Sequence, residues 1–554
     1  MEFLSRIREE KNSTFFGGVA VLAVGIAIVK VLGALFKIPV GNILGDVGFG
    51  HFNNAYVVYN LLLMVSTAGL PVALSKTIAE ADALDRGNQV QRTFRIALVA
   101  FLILGTVTTV IMYALAPQLA VLQGDAHAAH AVRAIAPACF LVCVISAFRG
   151  YAQGHGNMVP TSVSQVIEAA VKVALGTVLA IYLMDIGAGM DMAAAGAILG
   201  VTVGAGVALV YLIWDFLRRK RTAAPSASDR PDSAGFILKR LLSIAVPITL
   251  GASIVPITTW LDTVQVQNIL KGILGEEATW AAYGSYQKAI TIFNLPPSFM
   301  VAVTAAIIPA ISASVVRQNW GRVRKLAESS LRISSLIAFP AGIGLAAAAD
   351  PIIHFLYFGT DYSVAVPCMA ILGIASVFVC LMFLCNSILQ ASGFVNLPII
   401  VMAVGCVAKL GVNNFLVRRE GIGVVGAPIG TLVCYIIVAG LELYLIKRVI
   451  PQAPSYRKTF IKPFLASLLM GGAAWAASGL LESFLLGIKS FQFVAETGQV
   501  MLSRVGYGLV TMGSIGVAVV VYGVLIVALR AITREDLSLM PKGDKIAKVL
   551  RLKD

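Results

Sequence analysis

Residues 30–80 read KVLGALFKIPVGNILGDVGFGHFNNAYVVYNLLLMVSTAGLPVALSKTIAE, and this stretch decides the fold class. Apolar residues dominate on both sides of a short loop, GDVGFGH at 45–51, which holds no Lys or Arg. A helix needs roughly 20 apolar residues to cross a hydrocarbon core about 30 Å thick. Because the first apolar run extends back toward residue 14, the stretch predicts two membrane-spanning helices joined by a short loop.

The same pattern fills the rest of the chain. Of the 554 residues, 58% are apolar and 13% are charged, and the mean hydropathy is +0.86. A soluble domain carries about a quarter charged residues, so a soluble globular enzyme is excluded. The composition predicts an all-α polytopic membrane protein with about 14 transmembrane helices. The apolar runs place the crossings at 14–43, 52–74, 93–116, 131–152, 158–184, 192–217, 237–266, 281–311, 323–349, 364–387, 394–417, 423–446, 460–483 and 503–530.

Lys and Arg collect in alternate connecting segments, which indicates the orientation. The amino-terminal end, the segment at 218–240 and the tail after residue 530 are basic, whereas the loops at 45–51 and 185–191 hold no Lys or Arg. Short cytoplasmic loops retain positive charge during insertion, so both termini are expected in the cytoplasm. The net charge of +15 is then a feature of topology, and nucleic-acid binding is not expected.

A polar linker, RRKRTAAPSASDRPDSAG at 218–235, divides the chain after the sixth crossing. A pattern before it recurs after it at an offset of 237 or 238, since Gln153, Gly156, Pro160 and Lys172 return as Gln390, Gly393, Pro398 and Lys409. The recurrence predicts two parallel six-helix lobes around a substrate cavity. The predicted division is a first lobe at 1–217, a cytoplasmic linker at 218–236, a second lobe at 237–450, two further helices at 451–531 and a basic cytoplasmic tail at 532–554.

Charged residues inside the apolar runs point to function, because an ion at mid-membrane costs a few kcal/mol or more unless it faces water or a partner. Cations there outnumber carboxylates about two to one. Lys30 and Lys37 are seven residues apart, which places both on one face of the first helix about 10 Å apart. Lys172, Lys288 and Lys409 are the other cavity candidates. A cationic cavity selects an anionic cargo, and phosphate or pyrophosphate groups suit it.

Three of these lysines also have a purely structural explanation. Lys37 could reach the membrane interface, Lys172 could pair with Glu168 four residues before it, and Lys409 could be a structural residue that echoes Lys172. The sequence contains no Walker A motif, no Ser-His-Asp arrangement and no metal-ligand cluster. We therefore expect no enzyme activity, no catalytic residue and no cofactor.

The stretch at 30–80 resembles the amino-terminal region of the SpoVB/YtgP group of polysaccharide-biosynthesis proteins, which are relatives of the MurJ-like lipid II flippases. YGSYQKAITIFNLPP at 283–297 resembles the eighth helix of that group. The resemblance extends from residue 14 to about 530. It implies the multidrug/oligosaccharidyl-lipid/polysaccharide (MOP) exporter fold, as in MATE transporters, with two additional carboxy-terminal helices. It also implies an undecaprenyl-linked cargo whose pyrophosphate is bound by basic residues, here Lys30, Lys37 and Lys288. Lysine keeps the charge but lacks the bidentate fork of arginine.

The resemblance further implies a sodium ion in the second lobe, with Asp262, Asn413 and Thr431 as candidate ligands. Val417, one turn after Asn413, departs from this pattern because a carboxylate would help there. The last two helices, at 460–530, resemble helices that line a groove for a lipid tail. Their close packing would depend on small residues, namely Gly471, Gly472, Gly508 and Gly513.

These observations lead to one hypothesis and three alternatives. The chain is expected to be a monomeric flippase that moves an undecaprenyl-pyrophosphate-linked cell-wall precursor, with lipid II as the first candidate, across the bacterial cytoplasmic (inner) membrane by alternating access. An alternative cargo is another lipid-linked polysaccharide or a teichoic-acid unit. A cation-coupled multidrug exporter would need a carboxylate in the first lobe, where Glu168 is the deep candidate. A scaffold for wall-synthesis enzymes would tolerate neutral residues at Lys30 and Lys288.

Overall fold

A computed structural model describes residues 25, 26, 28–218, 229–451, 454–494 and 500–531. The first half of the first predicted crossing, most of the linker (219–228) and the basic tail (532–554) lie outside the described residues. The described chain is almost entirely helical, and its one sheet is a short antiparallel hairpin in which Gln492–Val494 (β1) pairs with Val500–Leu502 (β2). The predicted all-α class is confirmed.

Eighteen α-helices lie within the described ranges. They are α1 (28–43), α2 (Gly45–Thr67), α3 (Leu70–Ala83), α4 (Gly87–Ala114), α5 (Ala116–Leu122), α6 (Ala129–Gly154), α7 (Val159–Asp185), α8 (Met190–Arg218), α9 (Ala234–Leu274), α10 (Glu276–Phe293), α11 (Leu295–Val316), α12 (Trp320–Ala347), α13 (Ala349–Leu356), α14 (Tyr362–Ala391), α15 (Leu397–Leu416), α16 (Gly426–Val449), α17 (Tyr456–Leu486) and α18 (Arg504–Ala528).

Twelve helical segments of the described chain are long and apolar enough to cross a membrane, and each overlaps one of the fourteen predicted crossings. The predicted crossing at 14–43 is described only in part, as α1. The predicted crossing at 281–311 needs a correction, because it consists of two helices, α10 and α11, that meet at Asn294. The fold is that of a multi-pass membrane protein.

Proline explains the break between α10 and α11. Pro296 and Pro297 occupy the first turn of α11. Neither has a backbone N–H, so the carbonyls four residues earlier, at Ile292 and Phe293, lose their helical partners. The motif NLPP therefore divides the run into two helices.

A second break, between α2 and α3, depends on a glycine. Pro71 lies in the first turn of α3 and cannot donate a helical hydrogen bond. Gly69 lies against the carbonyl oxygen of Ala245 in α9, and any side chain at residue 69 would collide with that oxygen. The backbone N–H of Gly69 donates to the hydroxyl of Thr249, also in α9, at 3.1 Å. The break therefore lets α9 approach α2 and α3 closely.

The helices form two compact units, residues 1–284 and 285–554. The core of the first unit contains buried side chains of α1, α2, α6 and α8, including Phe36, Phe49 and Phe52. α9 belongs to this unit and packs against α2, α3 and α4. The core of the second unit lies among α12, α14 and α16, with Leu331 and Cys385 fully buried. The predicted lobe boundaries at 217 and 237 stay a prediction.

The recurring sequence pattern has the same local structure in both units. Gly156 follows α6 at φ +73° and Gly393 follows α14 at φ +95°, a conformation that glycine adopts without strain. Pro160 and Pro398 then lie in the first turns of α7 and α15, where a proline is well tolerated. Each half of the pattern is therefore a helix end, a glycine turn and a proline-initiated helix.

The described end of the linker caps α4. The Asp229 carboxylate accepts hydrogen bonds from the backbone N–H groups of Asn88 and Gln89 at 2.8 and 3.0 Å, and from Arg86 Nε at 3.0 Å. Desolvation raises the pKa of Asp229, but the hydrogen bonds from Gln89, Arg86 and Asn88 outweigh it and hold the pKa below its ordinary value. The linker is thus fixed to the first unit at its carboxy-terminal end.

Candidate functional site

The two lysines of α1 lie on a different side of the helix from Ile28 and Leu35, two of its three large exposed apolar residues. Ile28 and Leu35 are exposed, as expected for side chains that face lipid. Lys30 and Lys37 each follow one of them by two residues, which is about 200° around a helix. Lys30 is exposed and Lys37 is half-buried. The lysines therefore do not share the face of Ile28 and Leu35, and the common cavity face expected for Lys30 and Lys37 stays a prediction.

Neutral groups of α2 hold the Lys37 ammonium. Lys37 Nζ donates to Asn53 Oδ1 at 3.0 Å and lies 5.4 Å from the centroid of the Tyr56 ring. Asn53 is buried, and its Nδ2 donates to the carbonyl oxygen of Phe49 at 2.7 Å, which fixes the orientation of the amide. Lys37 is not free to reach the membrane interface in this arrangement. Its charge is hydrogen-bonded but not neutralised.

Lys172 of α7 completes a group of three cations. Its ammonium lies 5.6 Å from the centroid of the Phe36 ring, and it is near enough to both Lys30 and Lys37 to repel their ammonium groups. Within the part of the chain that the structure describes, none of these three lysines forms an ion pair with a carboxylate. We call Lys30, Lys37 and Lys172 the lysine cluster of the first unit.

The alternative in which Lys172 pairs with Glu168 is wrong. Glu168 instead accepts a hydrogen bond from Arg149 Nη2 of α6 at 3.0 Å, and Arg149 Nε donates to Ser164 Oγ at 2.9 Å. Arginine matches carboxylate geometry better than lysine does, so the pair between α6 and α7 is the stronger one. The carboxylate nearest in sequence to Lys172 is therefore already neutralised by another residue.

The other two candidate lysines belong to the second unit. Lys288 of α10 is only 1% exposed, and its Nζ lies 5.4 Å from the centroid of the Tyr357 ring. A fully buried ammonium can contact a head group only after its surroundings open. Lys409 of α15 is half-buried. Roles of Lys288 and Lys409 in cargo binding stay predictions.

The candidate sodium ligands divide between the two units. Asp262 of α9 is buried in the first unit. Asn413 of α15 and Thr431 of α16 are buried in the second unit, where Asn413 lies against Gly430, the residue before Thr431. Thr431 Oγ1 donates to the Ala427 carbonyl at 3.0 Å, which leaves its oxygen lone pairs as acceptors. Two neutral oxygen donors suit a hard cation, but the second unit brings no carboxylate from this set to them.

A buried polar network that sequence reasoning missed joins α2, α9 and the connection after α5. Asp125 Oδ2 lies 2.7 Å from His51 Nδ1 and accepts from Asn54 Nδ2 at 2.6 Å, and Asp125 Oδ1 accepts from the Ala128 N–H at 3.2 Å. Gln267 Nε2 of α9 donates to Asn54 Oδ1 at 2.6 Å. Each of the four side chains is at least 97% buried, since none is more than 3% exposed. We call His51, Asn54, Asp125 and Gln267 the polar latch.

Aromatic residues enclose the polar latch. The Trp280 ring of α10 contacts the ring of His51 edge-on at 5.3 Å and that of His127 at 5.0 Å. Trp280 Nε1 donates to the carbonyl oxygen of Gly124 at 3.1 Å. The adjacent asparagines in FNNAYVVY, an unusual pair within an apolar run, were the sequence signal for both this latch and the Lys37 contact.

An apolar cavity of about 240 Å³ lies among α12, α13, α17 and α18 in the second unit. Its polar lining groups are satisfied, because Tyr522 Oη donates to the Leu336 carbonyl at 2.8 Å and Ser514 Oγ to the Thr511 carbonyl at 3.0 Å. The lining is formed by Pro340, Ala341, Gly344, Leu345, Ala348, Ile352, Met470, Ala474, Ser514, Ile515, Ala518, Val519 and Tyr522. Such a cavity suits a hydrocarbon chain.

Glycines bring α17 and α18 close to their neighbours, as predicted, at three of the four positions. A Cβ at Gly471 would meet Ile343 of α12 at 2.5 Å, one at Gly508 would meet Phe355 at 3.0 Å, and one at Gly513 would meet Leu481 of α17 at 2.6 Å. Gly472 faces open space, so the prediction for it is wrong.

Comparisons with known proteins agree on one family. The polysaccharide biosynthesis protein family matches residues 15–315, more than half of the chain. Three proteins of Bacillus subtilis (strain 168) align over nearly its whole length. The uncharacterized membrane protein YabM is 26% identical over 548 residues, with 98% of both chains covered. Stage V sporulation protein B is 25% identical, with 96% of this chain and 98% of that protein covered. Lipid II flippase MurJ is 23% identical, with 92% and 95% covered.

Solved structures share the fold. The lipid II flippase MurJ in an inward closed conformation superposes with a TM-score of 0.67 at 14% identity, covering 92% of this chain and 99% of that chain. An inward-facing MATE multidrug resistance transporter of the MOP superfamily superposes with a TM-score of 0.64 at 17% identity, covering 76% and 98%. At such identities the likeness shows the fold, and it confirms the expected MOP exporter fold.

Proposed function

Since the chain belongs to the polysaccharide biosynthesis protein family, as a SpoVB-like and MurJ-like member of the MOP superfamily, we propose that it is a flippase. Its cargo is an undecaprenyl-pyrophosphate-linked cell-wall precursor, with lipid II as the first candidate. It acts as a monomer in the bacterial cytoplasmic membrane with both termini in the cytoplasm. The head group crosses through a cationic cavity by alternating access, while most of the prenyl chain stays in lipid. Members of this family are transporters, and no enzyme activity is part of the proposal.

The observation that carries this proposal is the lysine cluster of the first unit. The Lys172 ammonium repels those of both Lys30 and Lys37, and none of the three has a carboxylate partner in the described part of the chain. A membrane protein tolerates such charge where water, polar partners or a bound anion compensate it, and the Asn53 oxygen that accepts from Lys37 carries no negative charge. A pyrophosphate supplies two or more negative charges and several acceptor oxygens at once, so it would stabilise all three lysines through charge-assisted hydrogen bonds.

The apolar cavity supports a lipid-linked cargo rather than a soluble anion. Its lining is almost wholly hydrocarbon, and it lies beside α17 and α18, the two helices beyond the predicted lobes. A prenyl chain in the bilayer is already out of water, so this cavity would offer it van der Waals packing against the lining rather than a further hydrophobic gain. A volume of about 240 Å³ holds a segment of such a chain and not its whole length.

The sequence contains no Walker A motif, so transport needs a source of energy other than ATP hydrolysis. We propose the membrane potential or an ion gradient. Asp262, Asn413 and Thr431 are the residues to test for sodium. Their oxygens supply the ligand type that sodium prefers, and substitution of each by alanine should remove any stimulation of transport by a sodium gradient.

The test is a flipping assay with the purified protein in lipid vesicles, with fluorescent lipid II as the cargo and a lipid-linked teichoic-acid precursor as the competing cargo. Each lost charge-assisted contact is worth about 1.5–3 kcal/mol, so Lys37→Gln should raise the lipid II concentration at half-maximal transport by roughly 10- to 150-fold. Lys30→Gln and Lys172→Gln should behave similarly. Lys76→Gln is the matched control, because Lys76 is exposed on α3 outside the cluster.

Two outcomes would redirect the proposal. Equal transport by the wild type and by the variant with all three cluster lysines changed to Gln would remove its physical basis. Faster movement of the teichoic-acid precursor than of lipid II would change the cargo but keep the mechanism.

The multidrug-exporter alternative makes the opposite prediction. It needs Glu168, which pairs here with Arg149. Glu168→Gln should leave lipid transport largely intact in a flippase and abolish drug export in an exporter. A non-transporting scaffold would move neither cargo.

A further inference from the structure

Glu442 of α16 is fully buried in the second unit, and it has no role in the proposed cargo site. Its exposed fraction is 0%, and neither carboxylate oxygen has a hydrogen-bond partner anywhere in the described residues. Buried carboxylates normally bind a cation or accept several hydrogen bonds. Glu442 has neither, which sets it apart from Glu168 and Asp125.

The surroundings of Glu442 are apolar. α16 contributes Ile446 to a buried cluster that also contains Leu331 of α12 and Cys385 and Ile388 of α14. Cys385 lies close enough to Glu442 for a charge on one to affect the other. No ion pair in this cluster, within the described ranges, offsets a negative charge on Glu442.

Charged residues are few on α14 and α15, the two long helices packed against α16, whereas α12, which shares the buried cluster, carries Arg322, Arg324, Lys325, Glu328 and Arg332. Of these, Arg324 and Glu328 pair with each other at 3.1 Å. α14 contains no Asp, Glu, Lys, Arg or His, and its nearest titratable group is Cys385. α15 contains one charged residue, Lys409, whose carbonyl oxygen lies beside Gly430. Gly430 is twelve residues before Glu442, which is about 18 Å along the helix. The phenol of Tyr456 donates to the carbonyl oxygen of Leu443 at 2.6 Å and is already satisfied.

Two hydroxyl groups on α12 are, like the Glu442 carboxylate, buried without a hydrogen-bond partner among the described residues. They belong to Ser330 and Ser334. Both lie on the helical face that carries Ala327 and Leu331, because residues three, four and seven apart share a face. Ala327 and Leu331 belong to the same buried cluster as Cys385 and Ile446. α12 therefore carries two buried hydroxyls on the face that contributes Ala327 and Leu331 to this cluster.

An isolated carboxylate is very costly in such surroundings, and the neutral acid is the form that can be buried. We propose that Glu442 is a proton-binding site of the second unit and that it couples lipid transport to the proton gradient. A proton from water adds to one carboxylate oxygen when α12, α14 and α16 separate on one side of the membrane. The helices then pack around the neutral acid, and the proton returns to water when they separate on the other side.

This coupling rests on the proposed flippase function and names its driving ion. A ligand shifts a conformational equilibrium only through its different affinity for the two states. The packed state admits the protonated acid alone, whereas the opened state admits both forms. Proton binding therefore favours the packed state by itself, without any change in the cargo site.

The first experiment examines protonation without any cargo. Infrared difference spectra of the purified protein, recorded at neutral pH in water and heavy water, should contain the carbonyl band of a protonated carboxylic acid. Glu442→Gln should remove that band. Glu420→Gln, an identical change at an exposed residue of the same unit, should retain it. An unchanged band in Glu442→Gln would overturn the proposal.

The second experiment examines coupling in vesicles. Wild-type lipid transport should change by up to about tenfold for each pH unit across the membrane, the limit for one coupled proton. Glu442→Gln should lose this response and keep transport driven by the other gradients, and Glu420→Gln should respond like the wild type. An undiminished pH response in Glu442→Gln would also overturn the proposal.

Two controls keep the outcomes distinct. Glu442→Met, of similar size and without a polar group, should fold at least as well as Glu442→Gln and should equally lack the band and the pH response. If the wild type moves no lipid under any gradient, the proposed function fails, and the infrared band still decides whether Glu442 binds a proton.

Discussion

The polar latch should hold α2, the 123–128 connection and α9 together, and Asp125→Asn should weaken it. The substitution keeps the size of the side chain and removes its charge. Asp125 contacts His51 and Asn54 at 2.7 and 2.6 Å and accepts from the Ala128 N–H at 3.2 Å. An amide can replace some of these contacts but supplies one acceptor oxygen instead of two.

The expected magnitude follows from the number of contacts. A hydrogen bond to a charged group contributes about 1.5–3 kcal/mol, and a neutral one contributes about 0.5–1.5 kcal/mol. In Asp125→Asn the two side-chain contacts become neutral hydrogen bonds, so the substitution should destabilise the latched arrangement by about 1–3 kcal/mol. This corresponds to a roughly 5- to 150-fold shift toward conformations in which Gln267 of α9 has left Asn54. The residue is fully buried, so solvent screening does not reduce the effect.

Cross-linking measures this shift. Asn268 Nδ2 of α9 donates to the carbonyl oxygen of Leu122 at 3.0 Å, so cysteines at 122 and 268 report whether α9 is in place. The seven native cysteines are buried and can be changed to alanine first. Asp125→Asn should lower the cross-linked fraction and speed hydrogen exchange at 264–280, while Asp185→Asn, at the exposed last residue of α7, should change neither. Unchanged cross-linking and exchange in Asp125→Asn would refute the reasoning.

Two further substitutions test the packing of the first unit. Gly200→Ala should destabilise the protein by about 1–3 kcal/mol, because its Cβ would meet the Cα of Gly176 in α7 at 2.5 Å. Gly206→Ala is the control on the same helix, because its Cβ would have its nearest neighbour at 3.9 Å and should not destabilise the protein. Thermal unfolding of the two variants in detergent tests this difference. Asp229→Ala should lower stability at pH 7 by about 0.5–2 kcal/mol through loss of the α4 cap, while Asp229→Asn retains most of it. Because the pKa of Asp229 is lowered on folding, the stabilisation by its charge is present above about pH 4 and disappears as the pH falls through the folded pKa; an Asp229→Ala effect that is equal at pH 7 and pH 3 would contradict this.

Apolar run length predicted most of the helices because a membrane helix must be both long and apolar. It failed where the backbone hydrogen bonds stop inside an apolar run. Pro296 and Pro297 are visible in the sequence, but whether a proline kinks or ends a helix depends on its neighbours. At Gly69 the deciding contact is the carbonyl of Ala245, 176 residues later in the chain, which no local pattern contains.

The charged residues were found from the sequence, but their partners were not. The spacing of Lys172 and Glu168 favours a pair on one helix, and it gave no reason to prefer Arg149 on the neighbouring helix. Lys37 was recognised by its apolar context, while its contact with Asn53 depends on how α1 packs against α2. The polar latch needs three separate segments of the chain, so its members look unrelated until the fold brings them together.

The distribution of carboxylates in the first unit supports the proposal that the lysine cluster binds a phosphorylated cargo. Glu168 is occupied by Arg149, and Asp125 is enclosed in the polar latch with His51 and Asn54. These two acids of the first unit are thus held by other residues at 2.6–3.0 Å. Lys37 instead donates to the neutral side-chain oxygen of Asn53, which orients the ammonium and does not neutralise its charge. A carboxylate at residue 53 would hold Lys37 more tightly and would remove the attraction for a pyrophosphate.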